Sequence, residues 1–324
     1  MHKRFVNQCT IGLSLVPKGP VLIKSGKEGA DPTKPDMEFV ETYHAGGRSI
    51  YFPGSSLKGA IRAHAERIVR TIGSDSRPNN LDPAEDEARP LWASDPLEQN
   101  GYKYIEKEKD SQKVYRWSSF TDQLFGSVAI ASRLRIEDAY PVDPKQIKTE
   151  ERNGVAIDRV FGSVAVGPFN YQVCTAGEFQ TKIYLKNFTL EQLGLLGLVL
   201  RDLNDGWFGL GFAKSRGMGL VEVTLNQATV DYPGCILQNN RICLLGSDRS
   251  WAHTDLIGAG AFLPDDERLR YGFPADDVQS TPVGGKEMAY GLGVQMTWEA
   301  GQVEDLFTRA VTAWRKRLME GVTA

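Results

Sequence analysis

Three stretches of the chain carry residue types that could do chemistry. The first, PGSSLKGAIR (53–62), places Gly54, Ser55, Ser56 and Lys58 where an apolar strand turns into an amphipathic pattern. It reads as a helix start with Ser55 or Ser56 as the cap. The same start leaves backbone N–H groups free at the positive end of a helix, beside two hydroxyls and an ammonium, and those are the parts of an anion site. The second, GWFGLGFAKSRGMG (206–219), has five glycines together with Lys214 and Arg216. Glycines such as Gly217 let the backbone approach a ligand closely, and the two cations can reach phosphate oxygens. It also fits a plain glycine-rich turn into a strand. It is neither a Walker loop nor a dinucleotide fingerprint opening a helix. Two separate anion-friendly loops favour a phosphodiester chain over a mononucleotide. The third is a loop with Asp31, Asp36, Glu38, Glu41 and His44. Acids beside a nucleic-acid groove can hold a divalent metal or assist attack by a ribose 2′-OH, or they can simply solvate a loop. The remaining histidines, His2, His64 and His253, form no catalytic pattern, and no serine sits in a nucleophile elbow.

These residues need elements to position them. Alternation over about residues 4–16 predicts a core strand. A long Gly-, Pro-, Lys- and Asp-rich connection follows, then a short strand, SIYF, and a helix over 56–72 with Ile61, Ala65, Ile68, Val69 and Ile72 as its apolar stripe. Arg62, Arg67 and Arg70 lie on its other face, so residues 48–72 hold five basic residues against one acidic. Residues 73–116 have the opposite character: between 81 and 110 there are nine acids and four bases, which predicts a mobile or partly ordered insertion. Residues 117–139 predict a short helix passing through Gly126 into a strand over 128–138. RVFGSVAVGPFNYQVC and GEFQTKIYLKN alternate as two strands of a long hairpin or arm. A buried helix at 190–204 and the strand LVEVTLNQATV complete the order strand, helix, strand, strand, helix, strand, which predicts an α+β, ferredoxin-like, RNA-recognition-type core. The core spans 1–234, with large insertions at about 17–48, 73–116 and 140–172 that include a lid and a thumb-like β-hairpin. Residues 235–324 form a C-terminal extension packed on the core or a neighbour, ending in an amphipathic helix at 302–319.

Composition narrows the class. With 38 basic and 41 acidic residues in 324, the net charge is −3, so nucleic-acid binding must come from local patches. Cys9, Cys174, Cys235 and Cys243 show no C-x-x-C pairing, which argues against structural zinc. No window approaches the ~18 uninterrupted apolar residues of a membrane span. A reduced, cytoplasmic protein is expected.

Four segments in order, YFPGSSLKGAIR, LFGSVAIASRLRIEDA, VAIDRVFGSVAVGPFNYQVC and GLGFAKSRGMGLVEV, resemble the RAMP superfamily of CRISPR-associated proteins, specifically the repeated backbone subunit of type III effector complexes. The resemblance implies copies packed side by side along a CRISPR RNA. The helix after the PGSS turn and the glycine-rich loop would hold the guide backbone through Ser55, Ser56, Lys58, Arg62, Lys214, Arg216 and Gly217. The arm would push between guide and target RNA. The partners implied are CRISPR RNA, target RNA, other RAMP subunits and the large and small subunits of the complex. RNA-cleaving members carry an aspartate before the PGSS turn, which implies Asp36 (alternatively Asp31) as catalytic and metal-binding residue, with Mg or Mn as cofactor. A non-catalytic structural subunit and a guide-precursor processing endoribonuclease are the alternatives.

Overall fold

A computed structural model describes residues 4–26, 35–44, 46–81, 90–95, 97–98 and 101–320. Asp31 and His2 lie outside the described residues, as does part of the acidic insertion.

Six elements build the core: β1 (Gln8–Pro17), α1 (Gly54–Ile72), β2 (Leu134–Ile136), β3 (Phe179–Lys186), α2 (Leu190–Asn204) and β4 (Val221–Tyr232). The strands lie in the order β4-β1-β3-β2, all neighbours antiparallel, which is the interleaved βαβ arrangement expected from the sequence. The period of two decides the faces. Cys9, Ile11, Leu13 and Leu15 of β1 and Phe179, Ile183 and Leu185 of β3 point inward, no more than 2% exposed. Leu57, Ile61, Ala65 and Val69 of α1 and Leu193, Leu196, Leu200 and Leu203 of α2 cover that face. Ile68 is only half-buried and Ile72 is exposed, although Val69 in the same last turn is fully buried. At the start of α2 the Thr189 hydroxyl accepts the Gln192 N–H, and the Gln192 side chain accepts the Thr189 N–H. This reciprocal cap fixes where the helix begins.

The C-terminal residues extend the same sheet. β5 (Val294–Glu299) pairs antiparallel with β4, and α3 (Val303–Glu320) packs on α2, burying Trp298, Val303, Leu306 and Ala310. Buried polar side chains weld this region to the core. The Asp277 carboxylate accepts N–H groups from Leu190 (2.9 Å) and Gly260 (2.8 Å), and the Asn7 amide donates to the carbonyls of Phe188 (3.1 Å) and Ile257 (3.0 Å).

Three expectations need correction. The strand expected over 128–138 is confined to 134–136: Ser127–Ser132 form a turn in which the Ser127 N–H donates to the Ile130 carbonyl (2.9 Å) and the Ser127 hydroxyl accepts the Ala129 N–H (3.1 Å). The 73–116 insertion is largely built into the protein. It carries helices at Lys103–Glu106 and Ser111–Trp117 and buries Trp92, Ala93, Ile105 and Tyr115 to 4% exposure or less. Its anchor is the fully buried Asp122 carboxylate, which accepts hydrogen bonds from Ser94 (2.7 Å), Ser119 (2.8 Å), Tyr102 (3.2 Å) and Arg62 (2.8 Å). Counting charge overlooked a few aromatic residues and one partner outside the segment. Finally, the arm pairs differently. Val164–Ala176 runs antiparallel to Lys148–Ile157, a polar stretch without apolar alternation, while Phe179–Lys186 belongs to the central sheet. Cross-strand pairing, not a buried face, makes a strand of 148–157, which is exposed over nearly its whole length.

Candidate nucleic-acid interface

The start of α1 is shaped by contact. A Cβ at Gly54 would collide with the Ile136 carbonyl oxygen, so glycine is what allows the helix to begin against β2. No serine caps it. Pro53 occupies the cap position without a side-chain bond, and Asp138 reaches over from the β2 side so that its Oδ1 accepts the Gly54 N–H at 2.7 Å. Ser55 and Ser56 are exposed in the first turn, and among the described residues nothing in the protein accepts their amide hydrogens. Lys58 donates to the Ser132 hydroxyl at 2.8 Å, and burial, then the neighbouring Arg62, hold its pKa below the ordinary lysine value.

Arg62 sits apart from this group. Its guanidinium is shared among Glu66 (2.8 Å), the Gly126 carbonyl (2.8 Å) and Asp122 (2.8 Å). Burial works against its charge, but Glu66 and Asp122 outweigh that and raise its pKa. Arg70 likewise donates to the Ser94 carbonyl at 2.6 Å. Two of the five bases around α1 are therefore structural, and the local positive surface is smaller than the sequence count.

The glycine-rich loop lies against the segment after β1. The Phe212 N–H donates to the Leu22 carbonyl (2.7 Å), and a Cβ at Gly211, where φ is +76°, would strike that same carbonyl. Lys214–Arg216 forms a single 3-10 turn, closed by Gly217 in the left-handed region at φ 79°. Lys214 and Arg216 are exposed, and the Arg216 guanidinium lies 5.0 Å from the Phe212 ring centre. Lys24 covers the same ring at 3.9 Å. Lys24 joins this cation cluster only through the fold, since nothing in its sequence spacing marks it.

Backbone rungs connect the three constellations. Leu22 accepts from the loop, Val40 donates to Ile23 (2.9 Å), Tyr51 donates to Val40 (3.4 Å), and Phe52 and Ala139 exchange bonds (3.0 and 2.8 Å). These bonds link the acidic loop to the glycine-rich loop on the one hand and to the approach to α1 on the other. Asp36 is exposed, and its Oδ2 accepts the Asn170 N–H at 2.8 Å. Met37 donates to the Asn170 carbonyl (3.2 Å) and accepts from Gln172 (3.0 Å), so the acidic loop is clamped to the base of the arm. Farther out the arm exposes Ile157, Val160, Phe161, Val164 and Val166, each at least 58% accessible. Such an apolar surface on a projecting hairpin calls for a partner.

The open sheet face is a weaker candidate. β1 and β3 present Gln8, Thr10, Gly12, Gln180, Lys182, Tyr184 and Lys186 there, and the Tyr184 ring is already covered by Arg135 at 4.1 Å. It offers no pair of bare aromatic rings for bases to stack on, as RNA-recognition sheets do. Among the described residues no three His, Cys, Asp or Glu side chains converge to hold a metal ion, and no helix is long and apolar enough to cross a membrane.

An RNA-recognition-like α+β core whose binding features lie on insertions and a glycine-rich loop defines the class. The chain matches the family model of the RAMP superfamily over residues 15–222, well over half its length, and it belongs to that superfamily of CRISPR-associated, RNA-binding proteins. No curated protein matches it.

Proposed function

We propose that this chain is a guide-RNA-binding backbone subunit of a type III interference complex, packed beside other RAMP subunits and the large and small subunits, and that it cuts guide-paired target RNA. The observation that carries the reading is the clamp between Asp36 and the arm at Asn170. If the apolar arm separates a base pair between guide and target, the phosphate beside the gap is strained within reach of that carboxylate. The guide backbone lies along Ser55, Ser56 and Lys58 at one end and Lys24, Lys214 and Arg216 at the other. Cleavage proceeds by attack of the ribose 2′-oxygen on the adjacent phosphorus. The P–O5′ bond breaks, the 2′-OH proton is lost to base and the 5′-oxygen gains one, leaving a 2′,3′-cyclic phosphate and a 5′-OH. A Mg or Mn ion can be held by a single carboxylate together with RNA phosphates, which suits an isolated Asp36. Such an ion would neutralise charge on the attacked phosphate.

Target RNA incubated with the assembled complex and Mg tests this. Asp36→Ala should abolish cutting opposite this subunit and leave target binding intact; cutting that survives refutes the assignment of Asp36. A purely structural subunit is the second reading, favoured by the hydrogen bond that already occupies one Asp36 oxygen. It predicts whole target RNA under the wild-type subunit with either metal.

A further inference from the structure

We propose that His44 and Tyr140 form a stacking platform for a nucleobase of single-stranded RNA, next to the phosphate-binding start of α1. The proposal rests on the RNA-binding reading above and adds a base contact to it. His44 ends the first strand of a small hairpin, Glu41–His44 paired with Gly47–Ile50. Its imidazole lies flat on the Tyr140 ring, centres 3.7 Å apart and planes within 5°, and Tyr51 backs Tyr140 at 5.8 Å and 18°. His44 is exposed, and among the described residues no other ring, hydrogen bond or ion pair engages its side chain. One face of the imidazole is thus covered by Tyr140, while the residue as a whole is exposed. A column of planar groups ending in an open face is the geometry that a base extends.

The platform is indexed to α1 through one carboxylate. The Tyr140 hydroxyl donates to Asp138 Oδ2 at 3.2 Å, and Asp138 Oδ1 accepts the Gly54 N–H at 2.7 Å. The next two amides, of Ser55 and Ser56, have no acceptor in the described protein. A nucleotide with its base on His44 can therefore present its phosphate to those amides. The Asp138 charge disfavours adding more anion there, so stacking is the contact that strengthens binding without further charge. A bare imidazole plate in water has little use in holding the fold, because only one of its faces is packed.

The test uses the full chain with single-stranded RNA carrying 2-aminopurine at one position at a time. Wild-type protein should quench the probe at a defined position. His44→Ala should remove that quenching and weaken binding about tenfold, the scale of one lost base stack, with the salt dependence unchanged. His44→Phe, which keeps a flat ring, should retain both. Lys214→Ala with Arg216→Ala should do the reverse, reducing the salt slope by about 1.4 for two lost phosphate contacts on a single strand and sparing the quenching. His44→Ala with wild-type affinity and quenching overturns the platform while leaving the RNA reading intact. A wild-type chain that binds no RNA overturns both.

Discussion

Gly54 and Gly59 lie on the same helix, and the same substitution should move stability in opposite directions at the two. An added Cβ at Gly54 meets the Ile136 carbonyl oxygen and the Glu137 backbone, rigid atoms on the edge of β2, so the helix start must move. Overpacking of this kind costs about 1–3 kcal/mol. The shift also strains the Gly54 N–H bond to Asp138, a charge-assisted contact of about 1.5–3 kcal/mol. Set against the modest helix-propensity gain of alanine, Gly54→Ala should destabilise by about 2–4 kcal/mol. At Gly59, which is exposed, nothing lies within 4 Å of an added Cβ. Gly59→Ala should stabilise by up to about 1 kcal/mol from helix propensity alone. Chemical denaturation read by far-ultraviolet circular dichroism measures both, with a lower midpoint for Gly54→Ala, a higher one for Gly59→Ala and unchanged slopes. Midpoints that move in the same direction would refute the wedge at the start of α1.

Lys58 should give RNA binding a distinctive pH profile. Burial and Arg62 lower its pKa in the folded chain, so between that lowered value and the ordinary lysine value the unfolded chain binds more protons and stability rises with pH. A bound phosphate favours the charged form, so RNA affinity should fall as pH rises through the lowered value. Lys58→Arg should flatten this profile in titrations carried from neutral pH up to the ordinary lysine value, and an unchanged profile would remove Lys58 from the interface. Of the four thiols, Cys243 alone should react quickly with a thiol reagent at neutral pH: Cys9, Cys174 and Cys235 are buried, and burial raises all three, Cys174 to about 11 and Cys235 to about 12. Fast labelling of two or more sites in native protein, read by mass spectrometry, would contradict this.

Strands β1, β3 and β4 and both core helices were legible because a packed face imposes a period, as Cys9, Ile11, Leu13 and Leu15 show in β1 and Leu57, Ile61, Ala65 and Val69 in α1. The arm's first strand, Lys148–Ile157, was not, since it buries nothing and its pairing is written in its partner. The candidate site residues divide along the same line. Ser55, Ser56, Lys214 and Arg216 were visible as local motifs, and the structure leaves all four exposed. The pairing of Arg62 was not legible, because its partner Asp122 lies sixty residues away in the sequence. Lys24, Asp138 and Tyr140 carried no local signal at all. Each is singled out only by a contact with a distant segment: Lys24 with Phe212, Asp138 with Gly54, and Tyr140 with His44.

That division follows from how the fold is used. The central sheet buries one face under α1 and α2, and on the face it leaves open the ring of Tyr184 is covered by Arg135 and that of Tyr140, opposite Gln180, by His44. In the function proposed above, the sheet serves as a frame and the connections between its strands carry recognition. The connection from β1 to α1 carries Lys24, Asp36 and His44, the stretch from β2 to β3 carries Asp138, Tyr140 and the arm, and the connection from α2 to β4 carries Lys214 and Arg216. Backbone bonds at Leu22, Ile23 and Val40 tie these connections to one another, so a shift in the acidic loop is expected to reach both the glycine-rich loop and the start of α1. Removing the rung at Val40 should therefore disturb RNA contacts at both ends together, whereas the loss of any single surface cation disturbs only its own end.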